Sequence, residues 1–296
     1  MNRFRVALIG AGAMASRHAA AVVAAPNAHL EVVIDGDQGR ADGVAKRSGA
    51  RRASRLDAAL TCDVAIVANA TSDHHAAAMQ LIEAGIPVLV EKPLAASTSE
   101  VRHLVDLANR LDRILMCGFV ERFNDRLQPI LDLADSSSEP IRTIRTIRVS
   151  PPPPRTHSGV IDDVLLHDLD LVLRLLGHDT VVDVTSHTDQ WPPGAPWPES
   201  VRCHLTFAGG TDVHMEASRV ADRRRRRICA ATGSRVETVD LVDPPGNPLA
   251  AQLGHLLDLV SNGTAAARAA ERNGILPAHE LSERIGDQLR VGTCTP

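Results

Sequence analysis

Aromatic side chains are nearly missing from this 296-residue chain, which has no tyrosine, four phenylalanines and two tryptophans. A mechanism that needs a phenolic acid is excluded, and aromatic stacking on bases or sugar rings cannot be a main theme. Cysteine is sparse as well. The five (Cys62, Cys117, Cys203, Cys229 and Cys294) are odd in number, scattered and without a CxxC pair. That usage fits the reduced thiols of a cytoplasmic protein and gives no zinc cage. No apolar run approaches the roughly 18 residues of a membrane-spanning helix, so no membrane partner is expected. Positive charge is not in excess either: a formal net charge of −4 argues against a nucleic-acid partner. The opening MNRFRVALIGAGAMASRHAAA superficially mimics a secretory leader, but Gly10 and Gly12 interrupt its apolar run and a folded βαβ pattern continues beyond it.

What remains is an aliphatic chain, 44% apolar and 23% charged, longer than the commonest single domain. Apolar runs and helical patterns alternate from the start: a buried strand at 3–9, a helix at 13–25, a strand at 30–34 closing with Asp35, then helices and strands in turn to a strand at 114–119. Alternation at this spacing predicts a doubly wound parallel sheet, an α/β Rossmann domain over residues 1–119. The rhythm then changes. A helix at 122–134 precedes IRTIRTIRV, a long strand at 141–149 with a repeating basic face. The proline-stiffened SPPPPRTHSG follows, then a helix at 160–176. Strand-like segments at 180–188, 200–208, 211–219, 226–232 and 235–241 lead to a terminal helix at 249–261. Residues 120–296 therefore read as an α+β domain with a largely antiparallel open sheet that binds substrate and supports oligomerisation.

Gly10-Ala11-Gly12-Ala13-Met14-Ala15 is GxGxxA between a strand and a helix. Gly10 permits a tight turn, Gly12 lets backbone approach a pyrophosphate, and Ala15 allows close packing of helix on strand. The helix N-terminus, at Ala13 and Met14, offers free N–H groups to the anion. Asp35, a little over 20 residues on, would accept hydrogen bonds from ribose hydroxyls and repel a 2′-phosphate, which favours NAD over NADP. Arg40 nearby offers the opposite reading. Glu91-Lys92-Pro93 follows the strand IPVLV, placing Lys92 where ligands bind in such sheets. Asp163, His167 and Asp170 recur at i, i+4 and i+7 on one face of an otherwise apolar helix. Histidine suits proton transfer near neutral pH. Glu91, Asp163 and His167 also invite a metal, but with no HExxH and no cysteine set no metal is expected. Arg223–Arg227 reads as a solvated turn or strand edge, with contact to an anionic substrate as the alternative.

In ALIGAGAMASRH, ANATSDHHAAAMQLIEAGIPVLVEKPLA, GFVERFN and DDVLLHDLDLVLRLLG the chain resembles the Gfo/Idh/MocA oxidoreductases, the relatives of glucose–fructose oxidoreductase and inositol dehydrogenase. The resemblance implies an NAD-dependent dehydrogenase in which Lys92, Asp163 and His167 act together at the nicotinamide. His167 would move the proton of a secondary alcohol, with Lys92 on the reacting oxygen and Asp163 in support. Glu91, Thr71 and His74 fall at cofactor-lining positions. GFVERFN is similar to members that act on nucleotide-activated amino sugars, which makes Arg122 and Asn124 candidate substrate contacts, with Arg155 and His157 of the proline loop. The implied substrate is sugar-like: a nucleotide sugar, an amino sugar or a cyclitol. The implied assembly is a homodimer or homotetramer built on the antiparallel sheet. Two other roles share the fold: a non-catalytic NAD-binding sensor or scaffold, and a relative that recycles bound NAD in glycoside cleavage. Ala70 and Asp125 replace prolines common in the family.

Overall fold

The computed structural model describes residues 3–136, 139–153, 158–177 and 179–293, and the chain divides into two compact units. The first takes in residues 1–123 and 247–276. Its strands carry short apolar runs, such as VALI, VAIV and VLV, because helices cover both faces of the sheet. β1 (Phe4–Ile9), β2 (Ala28–Ile34), β3 (Arg51–Ala53), β4 (Val64–Val67), β5 (Val88–Val90) and β6 (Leu115–Cys117) pair in the order β3-β2-β1-β4-β5-β6. Every pairing is parallel. Strand order reverses between β1 and β4, so the turns after these strands converge at one point on the carboxyl edge.

Between the strands run α1 (Ala13–Ala24), α2 (Gln38–Ser48), α3 (Thr71–Glu83) and α4 (Thr98–Arg110). Local chemistry sets their ends. The Asp37 side chain accepts from Arg40 N at the start of α2, and Gly49 ends that helix in the left-handed conformation at φ 69°. Ser97 caps α4. α7 (Pro248–Asn262) returns to this unit and packs Leu253, Leu256 and Leu257 into the core that α1 shares with the sheet.

The second unit takes in residues 124–246 and 277–296. β7 (Thr143–Val149), β8 (Val181–His187), β9 (Ser200–Phe207), β10 (Asp212–Ser218), β11 (Arg225–Ala231) and β12 (Val236–Asp240) form a second sheet in the order β12-β11-β7-β10-β9-β8. β7 and β10 run parallel and the other pairs antiparallel. One face is buried through Ile144, Val201, Leu205, Val213 and Met215. A helical segment packs on this sheet, and its α6 (Leu166–Leu175) contributes buried Leu169 and Leu173.

Several elements differ from the sequence reading. The arginines of IRTIRTIRV do not make one basic face, because a spacing of three in a strand of period two sends them to opposite sides. Arg145 is exposed, while Arg148 is buried and its Nη2 donates to Asp168 Oδ1 at 2.6 Å. The helix expected at 122–134 begins as two short 3₁₀ turns, Val120–Phe123 and Asp125–Leu127, before α5 (Gln128–Ser136). Beyond 261 the chain forms two further helices, α8 (Ala265–Asn273) and α9 (Leu276–Thr293). α8 carries no apolar stripe to read. It buries Glu271 and Arg272, the latter through bonds from its Nε to Asn109 Oδ1 and from its Nη1 to the Arg113 carbonyl, both 2.7 Å.

Candidate active site

The glycine turn sits at the switch point of the first sheet. Gly10 has φ +106°, donates its N–H to the Ile34 carbonyl at 2.7 Å, and a Cβ there would lie 2.4 Å from the Ala68 carbonyl oxygen. Only glycine fits. A Cβ on Gly12 meets nothing within 4 Å, so the space over that glycine is open. Gly12 is also the N-cap of α1 and no side chain caps the helix, which leaves the amides of Ala13 and Met14 open to an anion.

Asp35 closes β2 and is only 11% exposed at its side chain. Its Oδ2 accepts from Ala11 N at 2.8 Å, which ties the glycine turn to β2, and its Oδ1 accepts from Asp37 N at 2.7 Å. Arg40 is paired with both acids, donating to Asp35 Oδ1 at 3.1 Å and lying 3.7 Å from Asp37 Oδ2. The cation that offered a 2′-phosphate reading thus already serves two carboxylates. Asn69, after β4, has a buried Oδ1 that accepts no hydrogen bond among the described residues. An open cradle, uncapped amides and an unsatisfied acceptor on one sheet edge fit a dinucleotide.

At the end of β5 the turn carrying Lys92 is held from two helices. Glu91 is buried, and its Oε1 lies 2.6 Å from Nε2 of His18, a residue of α1 that is 1% exposed. Glu91 Oε2 accepts from Lys92 N at 3.1 Å. A Cβ on Gly118, after β6, would stand 2.8 Å from that oxygen, so glycine makes room for the carboxylate. From α3, His74 Nδ1 donates to the Pro93 carbonyl at 3.0 Å. The Lys92–Pro93 peptide is cis. Glu91 and His74 therefore shape this turn from within, and Thr71 opens α3 beside it in sequence. Burial pushes the His74 imidazole below its ordinary value, against the pull of the Pro93 carbonyl.

The second unit carries Asp163 and His167. Asp163 lies in a π turn, Ile161–Leu165, that leads directly into α6. Such wide turns recur at functional sites. The three residues expected on one face differ in exposure: the Asp163 side chain is 40% exposed, His167 half-buried and Asp170 buried. Beside Asp163 stands Arg219, its Nη1 3.7 Å from Asp163 Oδ2. Sequence reasoning passed over His18 and Arg219. The first is one more residue of an alanine-rich helix, and the second follows a strand with no motif around it.

The remaining candidates lie elsewhere. Arg122, in the first unit, is buried with its Nη1 donating to Glu271 Oε1 at 2.7 Å, and its guanidinium lies 4.8 Å from the centre of the Phe119 ring. Asn124, in the second, donates to the Leu241 carbonyl at 3.1 Å and accepts from Arg126 N. Both serve internal bonds. Arg155 and His157 fall outside the described residues. Arg225–Arg227 of the arginine run open β11. Among the described residues no group of three or more His, Cys, Asp or Glu is placed to hold a metal, no disulfide joins the cysteines, and no helix is long and apolar enough to cross a membrane.

Strand order and turn chemistry define the first unit as the NAD-binding half of an oxidoreductase. Models of one family match both parts of the chain: the NAD-binding Rossmann fold of the GFO/IDH/MocA oxidoreductases over residues 4–119, and the C-terminal domain of that family over residues 141–237. The chain belongs to the Gfo/Idh/MocA oxidoreductase family, and its cofactor is NAD. A UDP-N-acetylglucosamine 3-dehydrogenase of Acidithiobacillus ferrooxidans is 29% identical over 249 residues, covering 82% of this chain and 76% of that protein. A structure of the same name and organism aligns over the whole of both chains with a TM-score of 0.89 at 24% identity. An inositol 2-dehydrogenase of Leifsonia xyli subsp. xyli is 28% identical over 225 residues, 72% of this chain and 66% of that one. GenD2 from gentamicin A biosynthesis, solved in complex with NAD, aligns over 97% of this chain and 95% of its own with a TM-score of 0.85 at 23% identity.

The two glycines make separable predictions. Gly12→Ala should fold with an unchanged melting temperature yet bind NAD on the order of tenfold more weakly, because its methyl enters only the open cradle. Gly10→Ala should cost about 1–3 kcal/mol or more of stability from positive φ alone. Fluorescence titration with NADH and urea denaturation check the pair, and equal melting temperatures would remove the distinction. For His74, a depressed folded-state value means that its contribution to stability is complete above the ordinary histidine value of about 6.5 and lost as pH falls below it. Melting temperature should therefore drop between neutral and mildly acidic pH, and His74→Gln should flatten that drop. Parallel curves would refute the assignment.

Proposed function

We propose that this chain transfers hydride between NAD and a secondary alcohol or ketone of a sugar-like substrate, a nucleotide sugar, amino sugar or cyclitol. The observation that carries the reading is the Lys92 turn. A lysine is presented at the carboxyl edge of an NAD-binding sheet, with its neighbours fixed by His18 and His74. The named relatives, a UDP-N-acetylglucosamine 3-dehydrogenase and inositol 2-dehydrogenases, point to the substrate class.

Bound NAD supplies the hydride acceptor or donor. The rest of the chemistry falls to side chains. Lys92 places a positive charge on the reacting oxygen, where alkoxide character develops. His167 takes the hydroxyl proton during oxidation and returns it during reduction. Asp163 holds a negative charge one turn before His167 and steadies it when it is protonated. The carboxylate of Asp35, with Arg40 already engaged beside it, favours NAD over NADP. Scattered cysteines without a disulfide among the described residues fit a cytoplasmic setting.

Turnover of NAD⁺ with UDP-N-acetylglucosamine or myo-inositol, followed as NADH absorbance, tests the reading. Lys92→Ala and His167→Ala should each lower kcat by about 10²–10⁴-fold with NAD affinity kept. Wild-type rates in both would sink the roles, and NAD binding with no turnover of any sugar would instead favour a sensor. We also propose that the chain assembles through the open face of its second sheet. Arg145, Arg202, His214 and Glu216 line a shallow hollow of about 500 Å³ there, with both signs of charge as a self-complementary interface requires. Light scattering should give a dimer or tetramer; a monomer overturns this.

A further inference from the structure

The largest fully buried side chain in the described molecule is charged: Arg219, immediately after β10, is 1% exposed. A guanidinium in such a place needs acceptors, or its burial costs more than the fold can bear. Nε donates to Glu199 Oε2 at 3.0 Å, and Nη1 donates to the Ser158 carbonyl at 2.7 Å. The backbone N–H of Arg219 donates to the Glu199 carbonyl, also at 3.0 Å. The cation is thus fixed once to Glu199 and once to the residue that precedes Gly159, with the backbone bond to Glu199 holding the residue itself; the Gly159 carbonyl accepts from Asp163 N at 2.9 Å.

Asp163 is the remaining acid close to it, with 3.7 Å between Nη1 and Oδ2. That separation is too long for a hydrogen bond and short enough for a strong Coulomb attraction wherever water is scarce. The asymmetry of the pair is informative. Arg219 is buried and immobilised, whereas Asp163 is 40% exposed and sits in a π turn with solvent on one side. A half-exposed carboxylate on its own samples several rotamers. A fixed cation at one side selects among them, and also favours the ionised form.

We propose that Arg219 is a positioning residue: held by Glu199 and Ser158, it keeps Asp163 ionised and in one orientation, one turn before His167. The inference rests on the reading that Asp163 and His167 carry the proton transfer. Arg219 reaches the chemistry only through Asp163.

Arg219→Met, Arg219→Lys, Glu199→Gln and Asp163→Asn test it, each measured for kcat and KM on whichever of UDP-N-acetylglucosamine and myo-inositol turns over, and for NADH affinity. Arg219→Met should lower kcat about 10- to 100-fold, as loss of orientation does, with KM and NADH affinity within about twofold. Lysine keeps the charge but not both hydrogen bonds, so Arg219→Lys should recover part of the loss. Should the methionine variant fail to fold, Glu199→Gln loosens the same cation and should lower kcat in the same direction. A double-mutant cycle of Arg219→Lys and Asp163→Asn in urea unfolding needs no substrate, and it should depart from additivity by at least about twofold in the unfolding constant. An additive cycle overturns the proposal. So does a kcat that Asp163→Asn abolishes while Arg219→Met, or Glu199→Gln in its place, leaves it intact. Turnover that survives Asp163→Asn removes Asp163 from the proton transfer while leaving hydride transfer in place, and the role of Arg219 goes with it.

Discussion

A carboxylate buried at the end of a parallel strand must be given partners, and in the first unit that carboxylate is Glu91. Uncompensated, it would either take up a proton or cost several kcal/mol. His18 answers one oxygen at 2.6 Å and the backbone of Lys92 the other at 3.1 Å. Because His18 belongs to α1, the helix that begins at the glycine turn, the bond joins the phosphate end of the cofactor site to the lysine turn. Gly118 is needed because Glu91 already fills the space its side chain would take. One buried acid therefore explains a histidine in the middle of an alanine-rich helix, a glycine after β6, and the fixed backbone of Lys92.

The glycine turn works by a different constraint. Gly10 is required by φ and by the Ala68 carbonyl, so it belongs to folding; a Cβ on Gly12 would meet nothing within 4 Å, so packing does not require that glycine. The Asp35 carboxylate accepts from Ala11 N, which holds the turn, and engages Arg40. An acid here thus has a structural task of its own, since it ties the glycine turn to the end of β2.

Legibility in the sequence followed from how each residue is buried. Five strands of the first sheet were readable because burial on both faces favours apolar runs such as VAIV; β3, three residues at the sheet's edge with the sequence RRA, has no such run and was not read. The second sheet was readable because alternation survives in strands with one covered face, as in β9 and β10. What was not readable is polar burial. α8 holds its place through Arg272 and Glu271, Arg148 is buried against Asp168, and Arg219 is buried against Glu199; in each case a charged letter looks like surface until its partner is known. Partners lie 20 or more residues away in every one of these pairs, beyond the reach of any helical or strand period.

The π turn shows how a local irregularity changes chemistry that spacing alone describes correctly. Asp163 and His167 are four apart, which in an ideal α-helix stacks them on one face with Asp170. The π turn across Ile161–Leu165 departs from that geometry; Asp163 within it is half-exposed, while Asp170 beyond it in α6 is buried. The two acids then stand in different settings: Asp170 is buried, and Asp163 meets both solvent and a fixed guanidinium. A carboxylate that is to steady a histidine through a change of charge needs that intermediate setting. Full burial would raise the cost of its ionised form, and full exposure would let water screen it from the imidazole.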